Sequence, residues 1–269
     1  MTESRDRARA RDREVRTARV LRTSRVTPRM IRVVLGGDGL VGLPAGEFAD
    51  EYVKVLFPRP GSEDRPQLRA LTVRGWDPDT SELTIDVVDH GPDGLASPWA
   101  GGAEPGDEVL LRGPGGAYRP RPDVDWQLLI GDECALPAIA TGLERMPPRI
   151  PAYAFIEVAD KDEEQPLPTP ADLSVVWVHR DEAPASAGDA LVAAVRGAWL
   201  PSGTAQAFLH GEAGMVKELR HHLRFERGID RDLLSVSGYW RRGAADEGWR
   251  AEKSDWNRAL EADEAAYNG

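Results

Sequence analysis

The sequence has little cysteine, few aromatic residues, no long apolar run and no excess of basic charge. One of its 269 residues is a cysteine, Cys134, so an intramolecular disulfide is excluded and a reducing compartment is favoured. No apolar run reaches the roughly 20 residues that a membrane span needs. Arginine alternates with acidic residues at the amino end, with no apolar segment behind it, so we expect no secretory signal. These absences favour a cytoplasmic protein.

Acidic residues outnumber basic residues by 45 to 34, which gives a formal net charge of -11. A surface of that charge repels nucleic-acid phosphates and anionic membranes, so neither is expected as a broad partner. The apolar fraction of 41% is enough for a buried core. The length fits one large domain or two domains of ordinary size.

Short β-rich segments fill residues 15–120. The segments YVKVLF, LRALTVRGW, ELTIDVVDH and DEVLLRG are bounded by proline, glycine or aspartate turn signals. One helix is expected here, from Ala96 to about Ala103, with Ser97 as its N-cap and Pro98 at its first position. Many short strands with a single helix predict a small antiparallel β-barrel.

The pattern changes at the segment YRPRP, which begins at Tyr118 and indicates a linker. The apolar runs WQLLIG, AYAFIEV, LSVVWVH and AQAFLHG predict strands buried on both faces, and segments with helical spacing alternate with them. Such alternation predicts a parallel α/β sheet. The predicted parts are a mobile charged tail (1–14), a barrel domain (15–120), an α/β domain (121–243) and a charged helical tail (244–269).

Two glycine turns follow predicted strands of the α/β domain, Gly131-Asp132-Glu133 and Gly211-Glu212. Ligands of such sheets bind outside the carboxyl ends of the strands, where helix N-termini attract phosphate. The turns therefore predict a nucleotide site, although two neighbouring carboxylates would repel phosphate. Cys134 follows the first turn at a helix start, which is expected to lower its pKa.

The barrel domain carries a second group of candidates. Alternation along RALTVR places Arg69 and Leu71 on one face of a strand and Thr72 on the other, and a guanidinium suits a pyrophosphate. Gly94 and Ala96 are small residues before the single helix, where an anion can reach backbone N–H groups. For each segment taken alone, a solvated strand or an ordinary capped helix is the commoner explanation.

Taken together, these segments resemble the siderophore-interacting proteins, which are flavin-dependent ferric-siderophore reductases of the ferredoxin-reductase superfamily. The matching segments are YVKVLFP, RALTVR, DVVDHGPDGLASPWA, PGDEVLLRGPGG, LLIGDECALPAIATGLERMP, HGEAGMVKELRHHL and GYWRRG, in the family's order over residues 15–243. The resemblance implies a six-stranded barrel that binds FAD and an α/β domain that binds NADPH or NADH. It also implies a ferric siderophore as substrate, and we expect a monomer.

The resemblance assigns roles to residues. For the flavin it implies Arg69, Leu71, Thr72, Val88, His90, Gly94, Ala96 and Ser97. For the nicotinamide nucleotide it implies Gly131, Asp132, Glu133, Leu136, Gly211 and Glu212, with the aromatic pair Tyr239 and Trp240 near the flavin. Lys54 and Arg241, with Arg242 as a further candidate, would attract the anionic siderophore. No catalytic acid, base or metal ligand is expected, because the cofactor carries the chemistry.

Two positions depart from the family pattern. Leu71 stands where the family has tyrosine, so stacking on the flavin ring is lost or supplied by another residue. Gly115 stands where many relatives have arginine, and Arg119 or Arg242 would have to compensate. Arg180, after the third strand of the α/β domain, is a candidate partner for a 2′-phosphate, and the choice between NADPH and NADH stays open.

Two other functions remain compatible with the sequence. The chain would then be a flavin-fold protein that binds a siderophore or another ligand without redox turnover, or an NAD(P)H-flavin oxidoreductase with a different acceptor. Flavin colour separates the first alternative from a reductase, and the choice of electron acceptor separates the second.

Overall fold

The computed structural model of the chain describes residues 14–44, 46–59, 61, 65–182 and 187–267. The predicted amino-terminal tail lies outside these residues, except for Glu14. The chain divides into two compact units. The first ends at Arg119 and also includes Ala140–Gly142, and the second contains the other residues after Arg119.

The first unit is a closed antiparallel barrel of six strands. The strands are β1 (Arg16–Thr27), β2 (Met30–Gly36), β3 (Tyr52–Phe57), β4 (Gln67–Asp77), β5 (Glu82–Val88) and β6 (Glu108–Gly115), in the order β1-β2-β5-β4-β3-β6. Alternate residues such as Val53 and Val55 point into the barrel and are fully buried. The helix α1 (Ala96–Gly102) packs against this interior. The predicted antiparallel barrel is confirmed.

The second unit is a parallel five-stranded sheet. Its strands are β7 (Trp126–Asp132), β8 (Ala152–Val158), β9 (Leu173–His179), β10 (Ala205–Glu212) and β11 (Leu234–Trp240), in the order β11-β10-β7-β8-β9. Its crossover helices are α2 (Leu136–Glu144), α3 (Asp189–Gly197) and α4 (Ala213–His221). β7 and β10 are buried along their whole length, as their continuous apolar runs predict. The same prediction is wrong for β9, which is an edge strand with half-buried and exposed positions. The predicted α/β unit is confirmed, and its order reverses direction between β7 and β10, which is where such sheets bind ligands.

The carboxyl-terminal helix α5 (Asp246–Tyr267) lies within the segment predicted as a charged helical tail, and one of its faces is packed into the second unit. Trp249 is only 1% exposed and lies against Gly238, where a Cβ atom would come within 2.8 Å of its ring. Glu264 lies 2.7 Å from both Arg220 and Arg224. No helix among the residues that the structure describes is both long and apolar enough to cross a membrane.

Candidate functional site

The loop between β5 and α1 is held by the Ser97 hydroxyl. Its oxygen accepts a hydrogen bond from the His90 backbone N–H at 3.1 Å and lies 2.9 Å from Asp89 Oδ1 and from the Gly91 carbonyl oxygen. The predicted N-cap role of Ser97 is therefore wrong: α1 begins at Ala96, its N-cap residue Leu95 makes no side-chain hydrogen bond, and the buried hydroxyl is used by the loop instead.

The same loop leaves open space next to its backbone. Gly91 and Gly94 have φ angles of 85° and 86°. Apart from the adjacent residues, no atom of the described residues lies within 4 Å of the position that a Cβ atom would take at either glycine. The Asp89 carboxylate accepts from the Gly91 N–H at 3.1 Å, and its hydrogen bond to Arg25 at 2.9 Å lowers its pKa and offsets its charge. The loop backbone has open space beside it, and the nearby Asp89 charge is offset by Arg25. This arrangement fits a phosphate-bearing ligand.

Strand β4 carries the other residues that were predicted to bind flavin. Leu71 is opposite Val53 and packs against the barrel interior, while Thr72 is opposite Tyr52 on the outward face. The predicted alternation of Arg69 and Leu71 against Thr72 is therefore seen in the strand register. The structure groups Val88, His90, Gly94, Ala96 and Ser97 around one loop and leaves Arg69, Leu71 and Thr72 on the adjacent strand.

Lys54 lies on the outward face of β3, with its Nζ 5.9 Å from the centroid of the Tyr52 ring. The facing residue on β6 is Arg112, which the sequence did not single out. Strand register places these two cations side by side. Segment patterns alone predict the strands without predicting which residues face each other.

Asp132 closes the carboxyl edge of the parallel sheet at its reversal point. Its Oδ2 accepts hydrogen bonds from the Trp240 indole N–H at 2.7 Å and the Glu212 backbone N–H at 2.9 Å, and its Oδ1 accepts one from the Cys134 N–H at 3.0 Å. Burial, helped by the Glu133 carboxylate, raises the pKa of Asp132 to about 7 against the effect of these donors. The side chain joins the ends of β7, β10 and β11.

The two glycines at this edge are required by the packing of the chain itself. A Cβ atom on Gly131 would lie 2.6 Å from Ala135 Cβ, and one on Gly211 would lie 2.7 Å from Asp132 Oδ2. Glu212 caps α4 by accepting from the Met215 N–H at 2.8 Å. Leu136 is fully buried. The residues predicted to bind the nucleotide lie together at one edge of the sheet, where they contact other parts of the protein. Their contact with a nucleotide stays a prediction.

Glu133 and Arg180 form an ion pair on the adjacent part of the edge, and Arg180 also lies 3.4 Å from Glu157. Both Glu157 oxygens accept from the Gly188 N–H at 3.0 Å. The guanidinium proposed for a 2′-phosphate is thus already paired with two carboxylates. Burial, with the Asp132 and Glu133 charges, raises the pKa of Cys134, so the expected lowering at a helix start is wrong.

Tyr239 and His210 belong to a polar cluster between β10 and β11, in which His210 is buried. His210 Nδ1 lies 3.0 Å from the Tyr239 hydroxyl, and its Nε2 lies 2.9 Å from Ser235 Oγ. Burial, with a smaller effect of the Lys253 charge, lowers the pKa of His210 to about 3. The imidazole is therefore neutral in the folded protein.

This neutral imidazole predicts a specific loss of stability in acid. The folded pKa lies below the unfolded value of about 6.5, so the stabilisation is complete above that value and is lost as the pH falls towards 3. Between pH 7 and pH 5 the wild-type protein should lose about 2 kcal/mol that the His210→Gln variant does not lose. Urea unfolding at both pH values measures this difference.

His221, which is exposed, provides the control for this measurement. The His221→Gln variant should keep the wild-type pH profile. A His210→Gln profile parallel to the wild-type profile would show that the imidazole does not carry the acid sensitivity.

The basic residues after β11 have partners within the second unit. Arg241 lies 2.7 Å from Glu252 and lines a cavity of about 450 Å³ together with Lys217 and Trp256. The Arg242 backbone N–H donates to Glu212 at 3.1 Å. Arg119, the other suggested substitute for a missing cation, is paired with Glu47 and stacks on Phe48.

Comparison with known proteins identifies both units. Residues 19–64 and 60–118 match the siderophore-interacting FAD-binding domain, and residues 124–243 match the siderophore-interacting protein family. The chain is 33% identical to the ferric vibriobactin reductase ViuB of Vibrio cholerae, over 87% of this chain and 92% of that protein.

Solved structures agree with the sequence matches. A siderophore utilization protein from T. fusca has a TM-score of 0.77 and 36% identity, over 87% of this chain and 95% of that one. The siderophore-interacting protein SipS from Aeromonas hydrophila has a TM-score of 0.79 and 28% identity, over 90% and 97% of the two chains. Because the family matches cover well over half of its sequence, the chain belongs to the siderophore-interacting protein family.

Proposed function

We propose that this protein is a flavin-dependent ferric-siderophore reductase that uses NAD(P)H. The observation that carries the proposal is the open loop at Gly91 and Gly94, within a barrel that matches a siderophore-interacting FAD-binding domain. When bound, FAD would take a hydride from NAD(P)H and pass its two electrons singly to two Fe(III) ions, whose Fe(II) products are held more weakly by the siderophore.

The barrel residues would bind and orient the flavin. The loop backbone at Gly94 would approach the diphosphate, and the Ser97 hydroxyl would hold that loop in shape through His90 and Gly91. Arg69 would supply positive charge from β4. Since Leu71 packs against the barrel interior, stacking on the flavin ring would be lost or supplied by another residue. The expected result is flavin binding that depends mainly on the diphosphate.

The parallel sheet would position the nicotinamide nucleotide at its reversal point. Asp132 fixes the ends of three strands there, and Glu212 fixes the start of α4. No side chain in this scheme moves a proton in the chemical step, so substitutions should act through binding or through the flavin potential. Lys54 and Arg241 would contribute positive charge for an anionic ferric chelate.

Replacing Gly94 with alanine tests the flavin loop. The methyl group would occupy the open space at Gly94, so the Kd for FAD should rise at least tenfold. The Gly42→Ala variant is the matched control, because Gly42 also has a positive φ, of 72°, and open space at Cβ. Both variants carry a backbone strain of about 1 kcal/mol, and FAD fluorescence titration separates binding from strain. Equal FAD affinities in the two variants would contradict the loop assignment.

Anaerobic spectroscopy tests the activity itself. The protein loaded with FAD should be yellow, should bleach with NADPH or NADH, and should recover its colour when a ferric siderophore is added. A protein that cannot be loaded with FAD would refute the proposal. Recovery with ferricyanide or a quinone but not with any ferric siderophore would favour an oxidoreductase with another acceptor. Siderophore binding without bleaching would favour a binding protein.

A further inference from the structure

Arg180 joins the carboxyl ends of three neighbouring strands of the parallel sheet. It directly follows the edge strand β9, and its guanidinium contacts Glu157 of β8 and Glu133, which directly follows β7. In α/β sheets that bind dinucleotides, an acidic side chain near this place takes the ribose 2′-hydroxyl of NAD, and an arginine takes the 2′-phosphate of NADP. The Arg180 cluster (Arg180, Glu133 and Glu157) contains both kinds of group.

Carboxylates already occupy the Arg180 guanidinium. Each of its two terminal nitrogens faces one oxygen of Glu133, which is the bidentate geometry of a strong arginine–carboxylate pair. Glu157 lies 3.4 Å away as a second carboxylate, and the Gly188 N–H holds both of its oxygens at 3.0 Å. A 2′-phosphate would therefore have to displace the Glu133 carboxylate in order to bind Arg180 in the same geometry.

The charge of the Arg180 cluster also opposes a phosphate. Two carboxylates, those of Glu133 and Glu157, face the single guanidinium, and Asp132 precedes Glu133 in the chain. A 2′-phosphate adds roughly two negative charges at pH 7. Repulsion between like charges is strong where burial has removed much of the water. A nucleotide with a 2′-phosphate is therefore disfavoured at this place.

A ligand can reach two of the three charged side chains. The side chains of Arg180 and Glu133 are 24% and 14% exposed, whereas that of Glu157 is 2% exposed. A neutral ribose 2′-hydroxyl can donate to the accessible Glu133 carboxylate and leave its pair with Arg180 intact. The nearby Arg242 does not offer an unopposed cation either, because its guanidinium lies 3.9 Å from Asp189.

We propose that Glu133 is a specificity-determining residue that selects NADH over NADPH. Its carboxylate would accept a hydrogen bond from the ribose 2′-hydroxyl of NADH. By occupying Arg180, the same carboxylate would keep from NADPH the cation that a 2′-phosphate needs, so that selection combines an attractive and a repulsive element. The inference rests on the proposed function and names the nucleotide that the reductase uses.

Calorimetric titration with NAD⁺ and NADP⁺, which have no hydride to transfer, tests the inference without turnover. The wild-type protein should bind NAD⁺ about tenfold more tightly than NADP⁺, which is the effect of one hydrogen bond to a charged group. In the Glu133→Gln variant, which releases Arg180 from its bidentate partner, the ratio of NADP⁺ affinity to NAD⁺ affinity should rise about tenfold. Adding Arg180→Gln to Glu133→Gln should remove this rise, because the phosphate loses its cation.

Glu182 provides the matched control. Its carboxylate lies two residues after Arg180 and is 3.6 Å from His179 Nδ1. The Glu182→Gln variant removes the same charge as Glu133→Gln and should keep the wild-type affinity ratio. Thermal unfolding of each variant shows that it is folded, and the comparison of the two nucleotides on the wild type requires no variant.

Each other outcome overturns the inference. If the wild type binds NADP⁺ as tightly as NAD⁺, or binds neither, the preference is wrong. An unchanged ratio in Glu133→Gln would show that Glu133 does not select the nucleotide, and an equal rise in Glu182→Gln would assign the effect to net charge. A rise that persists in the double variant would assign the phosphate to a cation other than Arg180. Bleaching of the FAD-loaded protein tests the reductase separately, so bleaching by NADPH alone would overturn only the preference for NADH.

Discussion

The Asp132→Ala variant is expected to lose roughly 3–5 kcal/mol of unfolding free energy, because three N–H donors lose their acceptor together. The donors come from Cys134, Glu212 and Trp240. Asp132 is only 2% exposed, so water cannot readily replace the lost oxygens. The loss should exceed that of an ordinary surface hydrogen bond several-fold.

Urea unfolding at pH 7 measures the Asp132 effect, and Asp123 provides the control. Asp123 is exposed and paired with Arg121 at the amino end of β7, so the Asp123→Ala variant should stay within about 1 kcal/mol of the wild type. The Asp132→Asn variant keeps one acceptor oxygen and should fall between wild type and Asp132→Ala. A cost for Asp132→Ala within the range of Asp123→Ala would show that the three strand ends are held by other contacts.

The Asp132 variants also show whether Asp132 affects the nucleotide through the structure of the strand ends or by direct contact. Under the proposed function, Asp132 acts on NAD(P)H through the strand ends, since its own oxygens already accept three hydrogen bonds. Affinity for the nucleotide should therefore fall in proportion to the loss of local structure in Asp132→Asn and Asp132→Ala. The affinity of the full chain for FAD should fall less than its affinity for NAD(P)H, because Trp240 is the only one of the three Asp132 partners that is predicted to lie near the flavin.

The fold was predictable because each half of the sequence has one dominant periodicity. Runs such as WQLLIG are apolar at every position, which is typical of a strand buried on both faces, and that strand is β7. The alternation around Leu71 predicted two faces of β4 correctly. These patterns depend only on neighbouring residues in the sequence. They predict the structure correctly when other elements of the fold cover the apolar face of the strand.

The details that sequence reasoning missed depend on residues far apart in the chain. Asp132 bonds to Trp240, 108 residues later, and Arg112 faces Lys54 only through the barrel register. Ser97 has the sequence features of an N-cap, but the neighbouring loop takes up its hydroxyl. In each case the side chain has more than one possible hydrogen-bond or charge partner, and the tertiary structure determines which partner it contacts. Which of the proposed residues touch a cofactor stays a prediction for the same reason.

The Glu264→Ala variant should also lose roughly 3–5 kcal/mol, because it would leave two arginines without their shared carboxylate. Arg220 is 7% exposed and Glu264 is 2% exposed, so both charges are largely removed from water. The exposed Glu261 lies one turn earlier on α5, and its alanine variant should stay within about 0.5 kcal/mol of the wild type.

A rescue experiment shows whether the Glu264 loss comes from the uncompensated arginines. Adding Arg220→Met and Arg224→Met to Glu264→Leu removes all three charges and keeps their apolar volume, so most of the lost stability should return. Urea unfolding of the single and triple variants measures this recovery. If the triple variant is no more stable than Glu264→Ala, the arginines are not the cause, and α5 is held instead by contacts such as that of Trp249 with Gly238.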